Sequence, residues 1–212
     1  MKVHRLVFSP IEVNTYLISD GKGSCAVIDC GCYNNREFDE FVGFLKKKDL
    51  KPVLLLNTHC HLDHIFGNRL FKEKFGFGAL SHIKEESNRK MSPIHASVFG
   101  LEMEEAPEPD AYIDEGNDLS FGPWQVKIIH IPGHAPGGLC FYFADEGLVF
   151  TGDALFAGSI GRSDLPGGDH QLLVKSIREK LFTLPADTVV WPGHGDSTTI
   201  GTEIKTNPYF KV

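Results

Sequence analysis

Residues 53–68, "VLLLNTHCHLDHIFGN", decide how this chain is read. An apolar run, Val53 to Leu56, opens into three histidines and an aspartate within six positions: His59, His61, Asp63 and His64. A strand that runs into polar residues presents them at one rim of its sheet. His59 and His61 alternate by two, so extended backbone points both side chains one way and Cys60 the other. Asp63 and His64 lie at the start of a helix-like run, "DHIFGNRLFKEKF" (63–75), and can face a second centre. Neutral imidazole and carboxylate are the donors that borderline divalent ions take. With ten His and fourteen Asp in 212 residues, an H-x-H-x-D-H pattern arises by chance in about one such chain in a thousand. Unrelated surface histidines are therefore the weaker reading.

Three more strand-like runs end in ligand-type residues. "IIHIPGHAPGG" (128–138) delivers His134 after Pro132 and Gly133, "LVFTGDALF" (148–156) delivers Asp153, and "VVWPGHGD" (189–196) delivers His194. Each alone reads as a turn residue; the coincidence of four strand ends points to a metal centre. His4, His82, His95 and His170 lack that context and read as structural or surface residues, with His130 intermediate between core and site.

The rest of the chain bounds the possibilities. Its 212 residues suffice for a sizeable core, and 42% hydrophobic with 23% charged residues is ordinary for a globular protein. A net charge of −7 without a basic run argues against a broad nucleic-acid footprint. The start lacks a signal-peptide core, and no segment approaches a membrane span. Five cysteines, an odd number, favour reduced thiols and a cytoplasmic protein. "CGC" (30–32) is either a small-residue turn or a metal or redox pair; one intervening residue and no second pair favour the turn.

Further strand-like runs are "HRLVF" (4–8), "NTYLIS" (14–19), "SCAVIDC" (24–30), "WQVKIIHI" (124–131), "LCFYFA" (139–144) and "TVVWPGH" (188–194), and the first apolar run extends as "PVLLLNT" (52–58). Residues 34–49 predict a helix with Phe38, Phe41, Val42 and Leu45 on one face, acids early and lysines late. Residues 169–184 predict another, with Asp169 as N-cap and Leu172, Leu173, Ile177 and Leu181 buried. Each half thus reads as strands followed by helix, suggesting two sheets face to face with helices outside. Residues 83–115, with "EESNRK" and "LEMEEAPEPD", are either a solvated connection with a short helix or two, or a flap over a site.

"THCHLDH", "PGHAPGG", "TGD" and "WPGHG", with "AVIDCG" before them, resemble the successive signatures of the metallo-β-lactamase superfamily, in order and over nearly the whole chain. The resemblance implies an α+β fold, a four-layer αβ/βα sandwich of two mixed β-sheets packed face to face, formed by residues 1–212 as one domain. It implies two divalent metal ions, zinc first, with iron or manganese as alternatives. Carried across by position, His59, His61 and His134 would hold one ion, Asp63, His64 and His194 the other, and Asp153 would bridge. Asp29 would be a carboxylate orienting a ligand; its alternative is a turn residue. No cysteine matches a ligand position.

Two such ions can share a hydroxide at neutral pH that attacks a carbonyl, with Asp63 the first candidate catalytic residue. "TGDALFAGSIGRSDLPGGDHQLL" and "PGHGDSTTIGTEIKTNPYF" look most like the short glyoxalase II-like (hydroxyacylglutathione hydrolase-like) enzymes, which implies a small-molecule thioester substrate. Arg162 stands where those enzymes carry a basic residue that grips a glutathione carboxylate; alternatively it pairs with Asp164. The chain departs from full-length glyoxalase II in having 18 residues after His194 instead of a helical glutathione-binding domain, and in lacking a tyrosine shortly after Arg162. The rival is a persulfide dioxygenase, with one iron on His59, His134 and Asp153. The sequence leaves the oligomeric state open.

Overall fold

The computed structural model describes residues 1–211. Contacts divide the chain into two compact units: residues 1–113 with 121–123, and residues 114–120 with those from 124 onward.

The first unit is built on a six-stranded sheet of β1 (Lys2–Phe8), β2 (Val13–Ser19), β3 (Ser24–Ile28), β4 (Lys51–Leu56), β5 (Leu80–Ser81) and β6 (Ala111–Tyr112), in that order. The first three strands form an antiparallel meander. Helix α1 (Asn35–Lys48) then crosses over to place β4 parallel to β3. Its ends follow capping and dipole rules. Asn34 accepts a hydrogen bond from the Glu37 amide, lysines 46–48 fill the last turn, and Asp49 ends the helix in the left-handed region. Phe38, Phe41 and Leu45 are buried, joining Leu17, Val27, Leu55 and Phe71 in one core cluster; Val42 packs at its margin.

The helix expected over 63–75 is two: α2 (Leu62–Ile65) and α3 (Asn68–Phe75). The break falls at Gly67, whose amide donates to the Cys30 carbonyl at 2.8 Å. A Cβ there would lie 2.6 Å from Cys30 Sγ, so backbone passes where no other residue fits. The "CGC" stretch is a packed turn. Gly31 abuts Val13, and both cysteines are fully buried. Burial, followed by the hydrogen bond with Cys30, pushes the Cys32 thiol up. Burial pushes the Cys25 thiol up to about 12. All five cysteines are free and buried.

Residues 83–115 contain a 3-10 turn (Ile83–Glu85), α4 (Glu86–Val98) and an irregular return to β6. Pro93 lies inside α4. It cannot donate to the Arg89 carbonyl, and Ser92 Oγ does so instead at 2.7 Å. Arg89, 3% exposed, bonds to Glu86, to Glu105 and to the Ala106 carbonyl. Helix and return are therefore tied together.

In the second unit, "WQVKIIHI" is broken. β7 (Ser120–Phe121) ends on a residue of the first unit, and β8 (Trp124–Gln125) stops at Val126, whose amide turns to the Leu119 carbonyl. β9 (Lys127–His130), β10 (Leu139–Phe143) and β11 (Leu148–Gly152) run antiparallel in sequence. The hairpin β12 (Leu155–Phe156) and β13 (Ser159–Ile160) follows, then α5 (His170–Lys180). β14 (Val189–Pro192) returns parallel to β11 and pairs with β15 (Thr198–Thr199), completing a five-stranded sheet. Helix α6 (Ile200–Thr206) closes the unit.

Asp169 Oδ1 caps α5, accepting from the Leu172 amide at 2.9 Å. Leu173, Ile177 and Leu181 are buried as expected, but Leu172 is 39% exposed. The N-cap sets the helix phase: Leu173 packs against Gly133, which has no room for a side chain, and Leu172 turns outward.

Candidate metal centre

Both units expose functional residues by the same device, the carboxyl ends of a parallel strand pair. In the first unit the register sets Ile28 opposite Leu56, so Asp29 and the 57–61 segment leave the sheet side by side. β4 ends at Leu56, short of the Thr58 expected, because the backbone changes partners there. The Asn57 amide donates to the Leu80 carbonyl at 3.0 Å, and the Thr58 amide to Asp29 Oδ1 at 2.8 Å. In the second unit Gly152 is paired with Pro192, and the Gly193 amide bonds to the Gly152 carbonyl at 2.8 Å. Asp153 and His194 follow at once.

Four of the expected residues converge in the first unit. His59 Nε2 and His61 Nδ1 are 3.1 Å apart, the His59 and His64 rings 4.1 Å, and His64 Nε2 lies 3.5 Å from Asp63 Oδ2. His59, Asp63 and His64 are buried. Three converge in the second unit, where Asp153 Oδ2 lies 3.6 Å from His134 Nε2 and 3.7 Å from His194 Nε2. Two ligands of one tetrahedral ion at a bond length of about 2.05 Å stand about 3.3 Å apart. Each unit therefore holds donor atoms at the spacing a shared ion sets.

The hydrogen bonds assign the histidine protons. Thr58 Oγ1 donates to Asp29 Oδ2 at 2.6 Å and so accepts from His59 Nδ1 at 3.1 Å. His64 Nδ1 donates to the same Asp29 oxygen at 2.8 Å. His134 Nδ1 donates to the Arg162 carbonyl at 2.7 Å. In all three rings Nδ1 is held by an oxygen and Nε2 is turned toward another ligand residue, the arrangement of a metal-bound histidine. His59 Nε2 and His61 Nδ1 face each other at 3.1 Å. The donor set fits a divalent metal.

Asp29 is buried at φ 54°. This is left-handed backbone, which aspartate tolerates better than most residues and which clusters at functional sites. Its three bonds to Thr58 and His64 exceed what a turn residue needs. Arg162 turns its side chain onto Asp164, with Nε and Nη2 each 2.8 Å from a carboxylate oxygen. That ion pair draws Asp164 down to about 2. Cys60, as expected, points away from the histidines and packs with Ile65 and Ala106. His82 caps the turn at Ile83, while His130 Nε2 lies 3.0 Å from the Pro136 carbonyl.

Sequence reasoning missed three contributors. The Arg162 carbonyl, not its side chain, holds His134. Gly161 has no room for a Cβ, which would strike the Asp153 carbonyl and stand 2.9 Å from His134 Nδ1; a glycine beside a basic residue was the available signal. Thr58 bridges Asp29 and His59, and its place directly before the first histidine was the hint.

A family model described as metallo-beta-lactamase superfamily matches residues 9–194. A Bacillus subtilis protein named probable metallo-hydrolase YqgX is 37% identical over 211 residues, covering 99% of this chain and 97% of its own. The Haemophilus influenzae protein named hydroxyacylglutathione hydrolase GloC is 36% identical over 211 residues, covering 99% and 98%. Among solved structures, the BLEG-1 B3 metallo-beta-lactamase superposes with a TM-score of 0.92 at 32% identity over the full length of both chains. TTHA1623 in a di-iron-bound form gives 0.86 at 34% identity, covering 97% of this chain and 99% of its own. ETHE1 from Myxococcus xanthus gives 0.79 at 25%, covering 98% and 84%. From residue 9 to His194 the match is continuous, and the chain belongs to the metallo-beta-lactamase superfamily of metallo-hydrolases and carries its α+β fold.

Proposed function

We propose that this protein is a thioester hydrolase of glyoxalase II type, acting on S-lactoylglutathione or a related acyl-thioester with two divalent ions. The observation that carries the reading is the complete donor set on a chain similar along its whole length to a protein named hydroxyacylglutathione hydrolase. On the family resemblance, His59, His61 and His134 hold one ion, Asp63, His64 and His194 the other, and Asp153 both. Zinc suits the donors and their spacing; iron is the alternative, since the similar TTHA1623 structure is a di-iron form.

Two divalent ions supply a water of lowered pKa as nucleophile and a Lewis acid for the oxyanion. The chain's own residues prepare for this. Asp29 and the Arg162 carbonyl hold the imidazole protons away from the ligand nitrogens. Asp63 would hold its ion through Oδ2, on the same side as His64 Nε2, which would leave its other carboxylate oxygen to accept a hydrogen bond from the attacking water and orient it. The leaving thiol, with a pKa of about 8.5, departs as thiolate without a strong general acid. Arg162 serves an anionic group of the substrate, which would take the place of the Asp164 carboxylate.

Likeness to ETHE1 supports a second reading, a persulfide dioxygenase with a single iron on His59, His134 and Asp153. That reading gives no role to Asp63, His64 or His194. Metal analysis of purified protein with a thioester panel separates the two. Two ions per chain and turnover of S-lactoylglutathione or simpler thioesters are expected. Two bound ions with every thioester untouched would sink the thioesterase reading. One iron with rapid oxygen uptake on glutathione persulfide would establish the second.

A further inference from the structure

We propose that Glu85 is a positioning residue for the His59–His61 ligand pair. This rests on the reading of those histidines as metal ligands. Glu85 is 1% exposed, and a side chain of this type is buried only where hydrogen bonds hold it. Its Oε2 accepts from the Cys60 amide at 2.9 Å and from Asn88 Nδ2 at 2.9 Å. Cys60 lies between the two ligands.

Residues 57–61 belong to no helix or strand. After the Asn57 amide, which bonds to the Leu80 carbonyl, the Thr58 and Cys60 amides are held by side chains. Asp29 takes the Thr58 amide and Glu85 the Cys60 amide. These two carboxylates accept from alternate amides and fix the backbone on either side of His59 and immediately before His61. The 3.1 Å between His59 Nε2 and His61 Nδ1 depends on the torsions at Cys60. Glu85 is itself well anchored. β5 pairs with β4 at Leu56, and the turn after β5 is held by the Glu85 amide on the His82 carbonyl and the Lys84 amide on His82 Nδ1. Cys60 Sγ lies 3.2 Å from Ser81 Oγ, and Ala106 from the 83–115 segment packs against Cys60 and Ile65. Part of the segment that could be read as a flap is thus the rear wall of the ligand loop.

The test is zinc binding by metal-free protein against a competing chelator, with thermal melting of the same metal-free samples. Glu85→Ala is expected to weaken zinc about 10- to 100-fold, the scale of losing a group that orients a ligand. Glu85→Gln keeps an acceptor at the same reach and should restore most of the affinity. Wild-type zinc affinity in folded Glu85→Ala, even with a lowered melting temperature, would overturn the proposal and reduce Glu85 to a structural role. If Glu85→Ala does not fold, Glu85→Gln is compared with Glu85→Asp, which keeps the charge but withdraws the acceptor. Tighter zinc in Glu85→Gln supports the proposal, and the reverse order overturns it. A wild-type protein that takes up no zinc would overturn the ligand assignment as well, so the two failures are distinguishable.

Discussion

The two ligand groups are built on one plan and secured differently. In the first unit four ligands crowd into six residues, and side chains orient them: Asp29 on His64 and Thr58, Thr58 on His59, and Glu85 on the Cys60 amide. In the second unit three ligands come from three loops 60 residues apart from end to end, and backbone holds the His134 ring. The Arg162 carbonyl holds His134, and Gly161 admits no side chain. A side-chain orienter can be removed by one mutation without moving the chain. A backbone orienter can be disturbed only by moving the chain, so its loss costs folding as well as function.

The largest expected effect tests the ligand assignment beneath this contrast. Asp63→Ala should lower kcat/KM for a thioester by at least about 1000-fold, or ~4 kcal/mol. Wild-type rates would overturn the dinuclear mechanism. Next is Gly161→Ala, whose methyl group has no space. It should destabilise the protein by about 1–3 kcal/mol in urea unfolding and lower the metal content together. Full stability with normal metal content would break the idea of backbone control.

Asp29→Asn should weaken metal binding by about 10- to 100-fold with a smaller change in melting temperature, because the amide cannot accept the three bonds that Asp29 accepts. Chelator competition reads this, and a loss of folding as large as that of Gly161→Ala would erase the distinction between the units. The smallest effect separates side chain from backbone within one residue. Arg162→Ala keeps the carbonyl on His134, so metal content should hold. KM for a glutathione thioester should rise by about 10-fold, with little change for an uncharged thioester. Equal effects on both substrates would remove Arg162 from substrate recognition.

What could be read in advance followed periodicity and spacing. The facing of His59 and His61, capping by Asn34 and Asp169, and the apolar face of Phe38, Phe41 and Leu45 are local properties, and they survive in the structure although the strand itself stops at Leu56. Errors came where a contact distant in sequence overrode local preference. Gly67 broke the 63–75 helix because the chain there meets Cys30, 37 residues earlier. Leu172 turned outward because the capped helix presents Leu173 to Gly133.

The sequence by itself determined the kinds of donor, their order, and their delivery from strand ends, because these depend on residue type and on a two-residue period. Only the tertiary structure decided which oxygen holds each imidazole. The Asp29–His64 bond spans 35 residues and the Arg162–His134 bond 28. Such pairs are chosen by strand register and by the room left at Gly161, neither of which a linear pattern contains.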